Sequence, residues 1–84
     1  MTVRLHDHVL LTETEDGAVL LDERRGRYWQ LNGSGALLLT MLLSGAVVEQ
    51  AATALMDRYP VDGERALADV RALVSGLRAA GLVR

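Results

Sequence analysis

The spacing of apolar residues changes from two to about 3.6 roughly a third of the way along this chain. Residues 9–14, Val-Leu-Leu-Thr-Glu-Thr, form a short strand-like run that closes at Glu15-Asp16-Gly17. Asp-Gly is a strong hairpin signal because glycine accepts the positive φ that tight turns require. Residues 18–22 make a second run, Glu23-Arg24-Arg25-Gly26 a second turn, and Arg27-Tyr28-Trp29-Gln30-Leu31 a third run. Three short strands joined by tight turns predict an antiparallel meander. On the third strand, alternation places Arg27, Trp29 and Leu31 on one face and Tyr28 and Gln30 on the other. Trp29 and Leu31 are assigned to the core. The second strand does not select a face by itself, since Val19, Leu20 and Leu21 are consecutive.

Helical spacing begins after Asn32, a good N-cap because its side-chain oxygen satisfies an otherwise orphan backbone donor. Gly33-Ser34-Gly35 follow, then a first helix through Leu43 with Leu37, Leu38, Met41 and Leu42 as its buried stripe; Ser44-Gly45 stops it. A second helix over residues 47–59 carries Val48, Ala52, Leu55 and Tyr59 at helical spacing, and Pro60 ends it. Asp62 caps a third helix reaching about Ala80, with Leu67, Val70, Leu73, Val74 and Leu77 on a wide apolar face. Gly81 ends that helix, and Leu82-Val83 return onto the core. Strands followed by helices predict a segregated α+β domain. The short connector between the last two helices makes it winged helix-turn-helix-like.

Composition narrows the functional classes. At 84 residues the chain is expected to be one domain, 1–84, hiding roughly 60–65% of its unfolded surface. Half of it is apolar and it has no cysteine, which removes disulfides, thiol catalysis and thiolate zinc sites and fits a reducing cytoplasm. The first seven residues lack the pattern of a signal peptide. The run at residues 36–39, broken by Thr40, is far short of a membrane span. A soluble cytoplasmic protein is expected.

All nine basic residues are arginine, set among eleven acids. Evenly spread charge makes no electropositive footprint for nucleic acid. The third helix repeats the point, with Glu64, Arg65, Asp69, Arg71 and Arg78 nearly balanced, so a DNA-binding winged-helix regulator is disfavoured.

Catalytic readings fail on residue type. Gly33-x-Gly35 lacks the spacing and βαβ setting of a phosphate loop. His6-x-His8 has no third ligand nearby. The serines and threonines have no histidine beyond position 8 to activate them. Glu13, Glu15 and Asp16 read as a solvated hairpin tip. No enzyme activity, metal or cofactor is expected.

The third strand remains. The last strand of a meander is often an edge, and an unpaired edge can accept another chain. From pattern alone, Tyr28 and Trp29 fit a core pin or a docking rail equally well.

The run Val19-Leu20-Leu21-Asp22 through Gly26-Arg27-Tyr28-Trp29-Gln30-Leu31-Asn32-Gly33-Ser34-Gly35 resembles the PqqD-like proteins. So do Leu43-Ser44-Gly45, the helix from Val48 to Tyr59, and the ending Asp69-Val70-x-x-Leu73-x-x-x-Leu77-x-x-x-Gly81-Leu82-Val83. These are the RiPP recognition elements, which bind leader peptides of ribosomally made, modified peptides. Free-standing, lysine-poor members of this size look most like the leader-binding protein of lasso-peptide pathways.

The resemblance implies a leader added as a further strand, antiparallel to the third strand, in the cleft between that strand and the third helix. The rail would be Arg27, Tyr28, Trp29, Gln30 and Leu31. The cleft wall would come from Val70, Leu73, Val74 and Leu77, with Asp69 and Arg71 at the rim. Implied partners are the precursor's leader, a separate transglutaminase-like leader peptidase and a macrolactam-forming cyclase. The same resemblance also admits a peptide chaperone for a radical-SAM enzyme.

Overall fold

The computed structural model describes residues 2–84; Met1, the first residue of the stretch read for a signal peptide, lies outside the described residues. Strands β1 (Val9–Thr14), β2 (Gly17–Asp22) and β3 (Arg27–Asn32) form an antiparallel sheet in the order β1-β2-β3. Helices α1 (Gly33–Leu43), α2 (Val48–Arg58) and α3 (Gly63–Ala79) follow, giving the expected winged-helix-like α+β arrangement.

The register settles the face that β2 left open. Leu20 stands opposite Leu11 on one side and Trp29 on the other, and Ala18 stands opposite Leu31. Ala18 and Leu20 are buried, whereas Val19 and Leu21 are half-buried on the outer face. Period-two alternation then fixes the rest: Trp29 and Leu31 pack against the core, and Tyr28 points away from it.

Three helix details differ from expectation. α1 starts directly at Gly33, because Asn32 Oδ1 accepts the Gly35 N–H at 2.9 Å and the Ser34 hydroxyl at 3.0 Å. The buried residues of α1 are Leu38, Leu39 and Leu42, while Leu37 and Met41 are half-buried; α1 packs on both the sheet and the other helices, so one narrow stripe does not describe it. Tyr59 leaves the buried stripe of α2. It is the C-cap, with φ −130° and ψ 147°, and is exposed. Pro60 forces this, since its ring clashes with a helical conformation in the residue before it.

α3 is capped by Asp62, whose Oδ1 accepts the Arg65 N–H at 2.8 Å. Ala66, Val70, Val74 and Leu77 are its buried line. Beyond Gly81 the chain turns back as expected: Leu82 and Val83 are buried, and Val83 bridges Leu5. The His6 N–H donates to the Leu82 carbonyl at 3.1 Å and the Arg84 N–H to the Arg4 carbonyl at 2.8 Å, so the two chain ends brace one another.

Candidate peptide-docking edge

β3 pairs with β2 along one side and, among the described residues, with no strand along the other. Its closeness to β2 depends on Gly17. A Cβ built there would overlap the Leu31 carbonyl oxygen and come within 2.9 Å of the Asn32 oxygen. Glycine therefore lets the two strands meet at the C-terminal end of β3.

The other end of β3 is set by the turn before it. Asp22 is fully buried, and its Oδ1 accepts the N–H groups of Arg24 at 3.0 Å and Arg25 at 3.1 Å. Gly26, at φ 65°, completes the turn in the left-handed region that other residues enter only at a cost. Burial pushes the Asp22 carboxyl up, but the two N–H donors and the charges of His8 and Arg25 outweigh it. The group ends below its ordinary value of 3.8.

His8 Nε2 lies 3.7 Å from Asp22 Oδ1, and its ring stacks on His6 with centroids 5.4 Å apart. The histidines thus serve this turn. Among the described residues no group of three metal-ligating side chains occurs.

Arg25 extends the anchoring across the molecule, donating from Nη1 to the Ala80 carbonyl at 3.3 Å. This ties the start of β3 to the end of α3. Both β3 and α3 pack on α1, but they are not packed closely on each other.

Helical spacing shows which side of α3 lies toward the sheet. Asp69, Leu73, Gly76 and Ala80 lie at i, i+4, i+7 and i+11, one stripe beside the buried line. The Arg25 contact at Ala80 puts this stripe on the sheet side. The opposite flank, at Leu67, faces a shallow groove shared with Ala52 and Met56 of α2. Leu73 is half-buried, and a side chain at Gly76 would meet nothing within 4 Å, so the stripe borders open space.

These placements sort the residues expected to matter. Arg27, Tyr28, Trp29, Gln30 and Leu31 all lie on the free edge strand. Tyr28 is 72% exposed and lines up with Leu21 and Leu10 across the outer sheet face. Trp29 and Leu31 are half-buried beneath the edge.

The residues expected to wall the cleft differ in burial. Val70, Val74 and Leu77 are core residues, between 0% and 4% exposed. Leu73 is the member of that set with surface to offer. Asp69 is half-buried and already paired with Arg65 Nε at 3.1 Å, while Arg71 is exposed on the far flank. Asp22 and Arg25, which hold the edge in place, were not singled out from sequence. An aspartate closing a strand before Glu-Arg-Arg-Gly carries the signal of a side chain that bonds backbone two and three residues on.

The fold is α+β and winged-helix-like, and β3 is an aromatic-bearing edge of its sheet, the kind of edge to which an extended peptide can add. The family model of Coenzyme PQQ synthesis protein D (PqqD) matches residues 17–83, and the chain belongs to that family. Two solved structures superpose on it along its whole length. A lasso peptide synthetase B1 complexed with the leader peptide is 37% identical, with a TM-score of 0.93 over 100% of this chain and 99% of that one. TbiB1 in complex with the TbiA(beta) leader peptide is 26% identical, with a TM-score of 0.85 over 100% and 95%. No curated protein matches the chain by sequence. Among the described residues no helix is long and apolar enough to cross a membrane.

Proposed function

We propose that this chain is a non-catalytic, cytoplasmic module that binds the leader of a ribosomally synthesised precursor peptide of the lasso type. The leader adds to β3 as a fourth, antiparallel strand, with alternate side chains directed into the cleft toward Leu73. Main-chain hydrogen bonds along the edge supply affinity, and the cleft selects the side chains. The bound leader is then presented to a separate transglutaminase-like leader peptidase and to the macrolactam-forming cyclase. No cofactor takes part.

The observation that carries this reading is the free edge of β3, supported from below by Trp29 and Leu31, in a chain that superposes over its full length on two leader-bound relatives. The balanced charge of α3 speaks against duplex DNA as the ligand. The direct test is titration of a fluorescently labelled leader from the precursor gene beside this one. Saturable binding is expected, with slowed exchange of the β3 amides. Failure of every neighbouring leader to bind would overturn the reading.

A further inference from the structure

The free edge is not electrically uniform along its length. At the start of β3 stand Arg24, Arg25 and Arg27, with Glu23 as the one acid among them. At its far end Gly17 pairs with Asn32, which brings up the hairpin tip carrying Glu13, Glu15 and Asp16. Arg58 is the basic side chain beside that tip.

The three arginines are not equivalent. Arg25 is committed to the Ala80 carbonyl. Arg27 is exposed and, among the described residues, forms no ion pair or side-chain hydrogen bond, although its strand partner is Asp22. The Asp22 carboxylate is buried, with its Oδ1 turned to the Arg24 and Arg25 amides and to His8, so it does not engage Arg27. Arg27 shares the cleft-side face with Trp29 and Leu31. A guanidinium with five donors in a fixed fork is thus held, unpaired, on the strand next to where an added strand would run. A carboxylate is the peptide group that matches that fork in both charge and geometry.

We propose that Arg27 is a specificity-determining residue that pairs with an aspartate or glutamate of the bound leader. The inference rests on the strand-addition reading above. In an antiparallel alignment, residues opposite the start of β3 belong to the C-terminal part of the paired segment, so the carboxylate lies there. Arg24 adds to the field at that end, and the acidic hairpin tip disfavours the reversed charge order. A strand sliding along the edge or entering backwards would bring its acid toward Glu13, Glu15 and Asp16. The arginine therefore fixes register and direction as well as affinity, the role that charged pairs at interfaces most often play.

The test uses the full chain and the labelled leader of the adjacent precursor gene. Its acidic residues are changed singly to the matching amides, and the protein is compared with Arg27→Gln and Arg27→Glu. One amide change in the C-terminal half of the paired segment should weaken binding about three- to tenfold. Arg27→Gln should weaken the native leader by a similar factor and leave that amide leader unaffected. Arg27→Glu should be restored by a leader with lysine at the same position. Unchanged thermal midpoints for both variants exclude loss of fold as the cause. If the native leader binds and every amide leader and Arg27→Gln bind within twofold of it, the Arg27 pairing is wrong and strand addition stands. A leader lacking any acid in that half would overturn the pairing equally. If the wild-type chain binds no leader, strand addition and the pairing fall together.

Discussion

The main-chain N–H of Arg25 donates to the buried Asp22 carboxylate at 3.1 Å, while the Arg25 guanidinium reaches the Ala80 carbonyl at 3.3 Å. One residue is thus read by the turn that launches β3 and reads the end of α3 in return. The start of β3 and the end of α3 are coupled through it. Truncating Arg25 to Ala should loosen this end of the cleft, seen as faster amide exchange at residues 24–27 and 80–82 with the remaining helix amides little changed.

The Asp22 anchor gives stability a defined acid limit. Its carboxyl titrates below 3.8 in the folded chain, so in that range the unfolded chain binds more protons. Stability then rises with pH through this window, is complete above the ordinary aspartate value, and is lost as pH falls through the folded value. Thermal midpoints measured from pH 2 to pH 6 should show this slope. Asp22→Asn keeps an oxygen for the Arg24 and Arg25 N–H groups but removes the charge, and should flatten the part of the slope below about pH 4. An unchanged slope in that variant would assign the acid sensitivity to other carboxyls.

Gly17 and Gly26 should respond differently to alanine. At Gly17 the new Cβ meets the Leu31 and Asn32 backbone, which cannot move without breaking the β2–β3 pairing. A loss of about 2 kcal/mol or more is expected. At Gly26 nothing lies within 4 Å, and the cost is the left-handed conformation alone, about 1 kcal/mol. Urea unfolding of the two variants separates close approach from backbone strain. Equal losses would contradict the role given to Gly17.

Much of this architecture is legible in the sequence because the local signals agree with the packing. Asp16-Gly17 and Arg25-Gly26 mark the turns, Asn32 and Asp62 cap their helices through their own side chains, and alternation groups Trp29 with Leu31, a pair that only the register with β2 places on the core. What periodicity could not resolve was the inner from the flanking side of α3. Val70, Leu73, Val74 and Leu77 form one apolar arc, and only the burial of three of them in the core leaves Leu73 at the boundary. Tyr59 was misplaced for a related reason: its helical spacing fits, but Pro60 takes its backbone out of the helix. The Asp22 anchor depends on a burial that a polar residue at a strand end does not announce.

The neighbouring aromatics of β3 should part in their effects. Tyr28, 72% exposed, holds little of the fold, and Tyr28→Ala should shift stability by within about 0.5 kcal/mol. Trp29 packs on the core opposite Leu20, and its truncation should cost about 2 kcal/mol, less than for a fully buried tryptophan. Leader affinity measured beside the unfolding curves shows whether Tyr28 contributes contact on the outer face. A destabilisation by Tyr28→Ala as large as that by Trp29→Ala would reverse the assignment of faces.

Leu73 and Leu77 provide the sharpest separation of cleft from core, because they lie one turn apart on the same helix and share a side-chain type. Leu77 is 4% exposed, so Leu77→Ala removes a buried isobutyl group and leaves a cavity, at about 2–5 kcal/mol. Leu73 is half-buried, and truncation there should cost about 1 kcal/mol because water already reaches part of it. Binding should rank them the other way. When both variants are titrated with leader well below their unfolding temperatures, Leu73→Ala should lose affinity several-fold if the added strand runs along the proposed path. Leu77→Ala should retain near-native affinity wherever it remains folded. Loss of affinity in Leu77→Ala alone would return the cleft wall to the deeper face of α3 and show that the helix opens when the leader binds.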